Sequence, residues 1–244
     1  MTLVLALAAV GLGSALQRLT GVGFALVSAP FLVLLLDPFD GVVVANGAAA
    51  LASGILFTQL RKSVDWRRFR LLLPAALVGI VPGAWIALTM DMSVLDVIVG
   101  VAVILGMSAS YFAARIGTMS GPIPTMGFGF MSGLMNVAAG VGGPALSVYG
   151  VATRWAQLSF AATLQPLFFV MGTVSLVVKL VGARGTVMPL QGWTWVAVGA
   201  MVVLGISVGT WLSRRVSAVL ARRLVIVLAY AGGLATLIRG IVAL

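Results

Sequence analysis

Few residues in this chain are equipped for chemistry, and those that are gather at two glycine-rich interruptions. The 244 residues include no Cys and no His, and all five acids are aspartates: Asp37, Asp40, Asp65, Asp91 and Asp96. Common acid–base, thiolate and metal-ligand sets are therefore missing, and no cofactor is expected. A Ser–Lys pair would need Lys62 or Lys179, and both fall at the ends of apolar runs. What remains lies along Gln17-Arg18-Leu19-Thr20-Gly21-Val22-Gly23-Phe24 and along Asn136-Val137-Ala138-Ala139-Gly140-Val141-Gly142-Gly143-Pro144. Two more amides, Asn46 and Gln165, stand in otherwise apolar stretches.

The chemistry these residues suit is the binding of a small anion. A new helix is expected to start near Gly23 and another near Gly142, each with free N–H groups at the positive end of its dipole. Such ends favour anions, and glycine lets a ligand approach the backbone. The other reading is that the glycines only permit tight helix crossing. Asn46 and Gln165 can donate to substrate oxygens or bond a neighbouring helix. Gln17, Asn136 and Thr20 can do either job. Arg18 is the cation near a break and away from the basic loops; it contributes to a site or snorkels to the surface. The candidate substrate-binding set is Gln17, Arg18, Gly21, Gly23, Phe24, Asn46, Asn136, Gly140, Gly142, Gly143 and Gln165.

The elements that must hold these residues are membrane helices. Hydrophobic residues make up 61% of the chain and charged ones 8%, with a mean hydropathy of +1.19. A soluble domain is about a quarter charged, and a chain of this length has too little interior to hide so much apolar surface. The net charge of +10 comes from short basic loops between apolar runs, which are topology signals rather than a nucleic-acid surface. The apolar amino terminus lacks the basic region of a secretory signal and is expected to belong to the mature fold. Six runs, 41–60, 69–90, 94–114, 157–180, 190–212 and 220–243, are long enough to cross a hydrocarbon core, which takes about 20 residues. Regions 2–36 and 123–153 are interrupted, and their pieces look too short to span, so each is expected to be a pair of half-helices.

Basic loops mark the cytoplasmic side. Arg61, Lys62, Arg67, Arg68 and Arg70 fill one loop, and Arg214, Arg215, Arg222 and Arg223 another. With both inside, Asp91 lies outside, Arg115 and Arg154 inside, and both termini outside. Gly21-Val22-Gly23 recurs as Gly140-Val141-Gly142, and the same displacement carries Gln17 to Asn136 and Asn46 to Gln165. Likewise Leu77-Val78-Gly79-Ile80-Val81-Pro82-Gly83-Ala84-Trp85 resembles Val203-Leu204-Gly205-Ile206-Ser207-Val208-Gly209-Thr210-Trp211, with a longer loop expected around 181–191. The chain therefore divides into 1–116 and 117–244, each an interrupted hairpin plus three spans. An odd number of spans inverts the second copy, and inverted repeats with matched breaks are a transporter signature. The Gly-x-x-x-Gly pairs read as helix-packing motifs. Trp66, Trp85, Trp193, Trp195 and Trp211 read as interfacial anchors, and Asp96 as a helix N-terminal stabiliser.

At the breaks the sequence resembles the TauE/SafE sulfite exporter family, whose halves carry a Gly-x-Gly-Gly-Gly stretch with a Pro a few residues on. The first copy is Gly21-Val22-Gly23-Phe24-Ala25 with Pro30, and the second is Gly140-Val141-Gly142-Gly143-Pro144. Phe24 and Ala25 replace two glycines of the first motif and narrow backbone access there. The resemblance implies transport of sulfite, organosulfonates or related anions, and leaves sulfite, a sulfonate such as taurine or sulfoacetate, or a carboxylate open.

The expected function is facilitated export or exchange of a small anion across a bacterial inner membrane, with the site at mid-membrane between facing half-helix N-termini. No intramembrane carboxylate is expected for proton coupling. An inside-negative potential favours anion exit by about 2.3 kcal/mol per charge per 100 mV. An anion channel or a non-transport assembly subunit are the alternatives. Oligomeric state is not legible.

Overall fold

Two glycines in the left-handed backbone region divide the interrupted segments into helix pairs. Helix α1 (Thr2–Thr20) ends at Gly21, φ +85°, whose N–H donates to Gln17 O at 2.7 Å; α2 (Gly23–Leu35) follows. Helix α6 (Pro122–Ala139) ends at Gly140, φ +71°, whose N–H donates to Asn136 O at 2.9 Å; α7 (Gly143–Ala152) follows. A side chain in this conformation costs about 1–2 kcal/mol, so both breaks depend on glycine.

This computed structural model describes residues 1–113, 119, 121–182 and 192–244. Among them the other α-helices are α3 (Pro38–Leu60), α4 (Trp66–Thr89), α5 (Met92–Ala113), α8 (Gln157–Gly182), α9 (Gly192–Leu212) and α10 (Ala218–Ala243). The Asp37 carboxylate accepts the Asp40 N–H at 2.8 Å to start α3, with Pro38 in the first turn. Asp65 accepts the Arg68 N–H at 3.0 Å to start α4. The expected loop at 181–191 and Arg115 fall largely or wholly outside the described residues.

Among the described residues, seven helices (α1, α3, α4, α5, α8, α9 and α10) are long and apolar enough to cross a bilayer. The chain is thus an all-α membrane protein, with one span more than the six expected. The correction is α1. Its 19 residues form one helix with a window of mean hydropathy 1.6, because Gln17 to Thr20 remain helical and the break comes only at Gly21. Helix α2, at 13 residues, is short as expected.

The helices pack in matched sets. Helix α4 lies on α6 as α9 lies on α1; α5 lies on α7 as α10 lies on α2; α3 meets α8, and α5 meets α10. The glycine motifs set the first two contacts. A Cβ at Gly79 or Gly83 would run into the carbonyls of Phe130 or Leu134, and one at Gly205 or Gly209 into those of Gly11 or Ala15. Backbones approach this closely only through small residues.

Three polar or aromatic residues differ from expectation. Asp96 does not serve the α5 N-terminus: it accepts from Arg239 Nη2, 2.6 Å away, and from Arg239 Nε at 2.7 Å. Arg239 also donates to the Leu34 and Val33 carbonyls at 3.0 and 2.9 Å, tying α5 and α10 to the end of α2. Lys179 is in the last turn of α8, as expected, but is fully buried there, with Nζ 4.5 Å from the Phe39 ring centre. Trp66, Trp85, Trp193 and Trp211 are exposed, whereas Trp195 turns inward against Gly47.

Candidate functional site

At each backbone break a buried amide from a helix distant in sequence donates to a main-chain carbonyl. Gln165, on α8, donates to Gly21 O at 3.3 Å, and Asn46, on α3, donates to Asn136 O at 3.3 Å. Gly21 O lies past the end of α1, where a carbonyl left bare in hydrocarbon costs several kcal/mol; Asn136 O also accepts from the Gly140 N–H. The break amides answer in kind. Gln17 donates to Gln165 Oε1 at 3.0 Å and Ser53 Oγ at 2.9 Å, while Asn136 donates to Asn46 Oδ1 at 3.1 Å and Ser175 Oγ at 3.0 Å. All four amides are buried. In this conformation they bridge helices, the second of the two roles open to them. Gln17 Oε1 is buried without a hydrogen-bond donor.

Between the breaks lies a central chamber of about 10 Å³, lined by Gln17, Val22, Phe24, Ala25, Ala49, Asn136 and Phe168. That is room for a single water. Three of the candidate residues, Gln17, Phe24 and Asn136, meet there, and Asn46 and Gln165 stand directly behind them. The starts of α2 and α7 carry no side-chain cap, so their first N–H groups have no hydroxyl or carboxylate on them. Pro144, in the first turn of α7, supplies no N–H, which leaves α2 the richer in donors.

The glycines divide by role. Gly21 and Gly140 form the turns. Gly23 and Gly142 fold back on their own hairpins: an added Cβ would lie 2.8 Å from the Leu16 backbone or 2.9 Å from Ser132 O. Gly143 faces across the breaks, and a Cβ there would meet nothing closer than Val22 O at 3.7 Å. Arg18 lines neither cavity; its Nε donates to Thr210 Oγ1 on α9 at 3.1 Å.

A much larger vestibule, about 700 Å³, extends from Thr20 and Val22 to the end of α7 and the start of α10. Its lining includes Arg154, Trp155, Gln157, Phe160, Arg222 and Tyr230. Val22 lines both cavities. No aspartate lines either one. The sequence reading missed Ser53, Ser175, Val22, Phe168 and the vestibule arginines. The serines carry a faint signal, as hydroxyls later in the spans of Asn46 and Gln165. Val22 and Phe168 carry none, being apolar residues among many.

No curated protein and no solved structure matches the chain. The model of the sulfite exporter TauE/SafE family matches residues 5–236. The break motifs, the membrane helices and this match over nearly the whole length agree, and the chain belongs to the sulfite exporter TauE/SafE family.

Proposed function

We propose that this protein carries a small anion, sulfite or an organosulfonate, across a bacterial inner membrane by facilitated export or exchange. The observation that carries this reading is the chamber between the two breaks, bounded by the uncapped start of α2 and by buried amides, with no carboxylate in its wall. Helix N-termini of this kind favour negative charge. The chamber holds about 10 Å³, less than any such anion needs, so transport requires the breaks to part. That requirement suits a carrier with alternating access better than a continuous pore.

The halves 1–116 and 117–244 act in this reading as inverted repeats. Support comes from the exchanged amide bonds and from the matched glycine contacts of α4 on α6 and α9 on α1. Rocking of one half against the other would move the site between the two sides. The basic loops are taken as cytoplasmic and both termini as external.

Flux tests the reading. Radiolabelled sulfite, taurine and sulfoacetate are offered to liposomes containing the purified protein, with membrane potential clamped at opposite signs. Saturable, potential-sensitive flux of one of them is expected, and none in sealed vesicles would overturn it. Gly143→Ala tests the site itself, because a Cβ fits there with ordinary contacts. Reduced flux from a fully folded variant is expected; unchanged flux would remove Gly143 from the site.

A further inference from the structure

The vestibule has a charge and a backbone conformation that helix packing does not require. Arg154 follows the end of α7 at φ +49°, and the other described residues with positive φ are glycines. Its N–H donates to Val151 O at 3.1 Å, and the Trp155 N–H to Gly150 O at 2.9 Å, so the chain reverses tightly here. Gly or Asn is the ordinary occupant of such a position, and an L side chain is strained in it. The guanidinium that accompanies this strain lines the vestibule together with that of Arg222, from the first turn and a half of α10.

Neither guanidinium has an ion pair among the described residues. Asp65 is engaged by Arg68 and Asp96 by Arg239, and Asp37, Asp40 and Asp91 line no part of the cavity. Two positive charges thus stand in a recess whose other walls include Leu26, Phe160, Trp155 and Tyr230. A low-dielectric recess of one sign concentrates the opposite ion. The planar guanidinium matches two oxygens of a carboxylate or sulfonate. The apolar wall has room for an organic tail that the central chamber lacks.

We propose that Arg154 and Arg222 form an anion-capture site in the vestibule, which holds the oxyanion head of an organic substrate before it passes Val22. The site rests on the transport reading above. A phospholipid phosphate presents the same head-group chemistry, and the test separates the two sources.

Sulfoacetate and sulfite flux is measured for wild type, Arg154→Gly, Arg154→Lys and Arg222→Gln, in neutral phosphatidylcholine vesicles and in vesicles with added phosphatidylglycerol. Arg154→Gly removes the guanidinium while relieving the strained backbone, so a structural role for Arg154 predicts unchanged or better behaviour. The capture site predicts a rise in sulfoacetate KM of about tenfold for Arg154→Gly and for Arg222→Gln, with maximal rate little altered, in both lipids. Arg154→Lys should recover part of the loss. Unchanged KM in both variants would overturn the site, as would an effect confined to vesicles with phosphatidylglycerol. Binding is followed separately as tryptophan quenching by sulfoacetate that disappears in Trp155→Phe and in Arg154→Gly. Quenching without flux would sink the transport reading and keep the site; flux with wild-type KM in the variants would do the reverse.

Discussion

Gln17 on α1 and Gln165 on α8 are joined by a 3.0 Å hydrogen bond between buried amides, and Asn136 on α6 and Asn46 on α3 are joined in the same way at 3.1 Å. Gln165→Leu leaves Gly21 O without its side-chain donor and Gln17 with one partner fewer. A loss of about 1–3 kcal/mol is expected, read as a lower midpoint of unfolding in detergent. A double-mutant cycle on Asn46 and Asn136 should give a coupling near 0.6 kcal/mol, typical of membrane side-chain pairs. Full additivity would mean that the bond contributes nothing.

The glycine contacts make a sharper prediction. Gly83→Leu and Gly209→Leu place a Cβ against the Leu134 and Ala15 carbonyls, whereas a Cβ at Gly199 has no neighbour within 4 Å. The first two should lose folded, monodisperse protein, at about 1–3 kcal/mol or more of overpacking. Gly199→Leu should behave as wild type in the same size-exclusion assay.

Asp96 is buried and Arg239 one-third exposed, with a bidentate contact between them. Removing one partner of a fully buried pair costs about 3–5 kcal/mol; partial exposure reduces this to about 1–3 kcal/mol for Asp96→Asn. Asp96→Leu combined with Arg239→Met should be less damaging than either single change. A double variant worse than the sum of the singles would contradict the pairing.

Lys179 Nζ is buried with no hydrogen-bond partner among the described residues, its near neighbour being the Phe39 ring. Lys179→Met keeps the length of the side chain and removes the unmatched polar group. Stability should rise by about 1–3 kcal/mol. A fall in thermal midpoint would show that the ring contact outweighs the desolvation.

Val22 is the residue that lines both chamber and vestibule. Val22→Trp should abolish flux in a protein that still folds, because the added ring has 700 Å³ of vestibule to occupy. Normal flux in that variant would place the substrate path elsewhere.

The helices, the breaks and the amide positions were legible because each is a local departure from an apolar background. Glycine marks a turn whatever surrounds it, and an amide in a span has to find a partner. Which partner it finds is a tertiary matter: the shared displacement makes Gln17 and Asn136 counterparts in position, and nothing in it says that Gln17 bonds Gln165. Asp96 and Arg239 are similarly joined only by the packing of α5 on α10. Gln17 and Arg18 look like a break in the sequence, yet an amide that donates to Gln165 and Ser53 and an arginine bonded to Thr210 sit comfortably in helix. Arg154 gave no signal at all, since its left-handed backbone occurs where the sequence shows no glycine.

The exchanged caps also bear on how the chain is made. Gly21 leaves the ribosome long before Gln165, so its carbonyl enters the membrane ahead of the side chain that completes it. The first five helices are therefore an unfinished assembly when they insert. Until α8 arrives, the first break has to stay near water or under the care of the insertion machinery. A helix made late thus seals a turn made near the start.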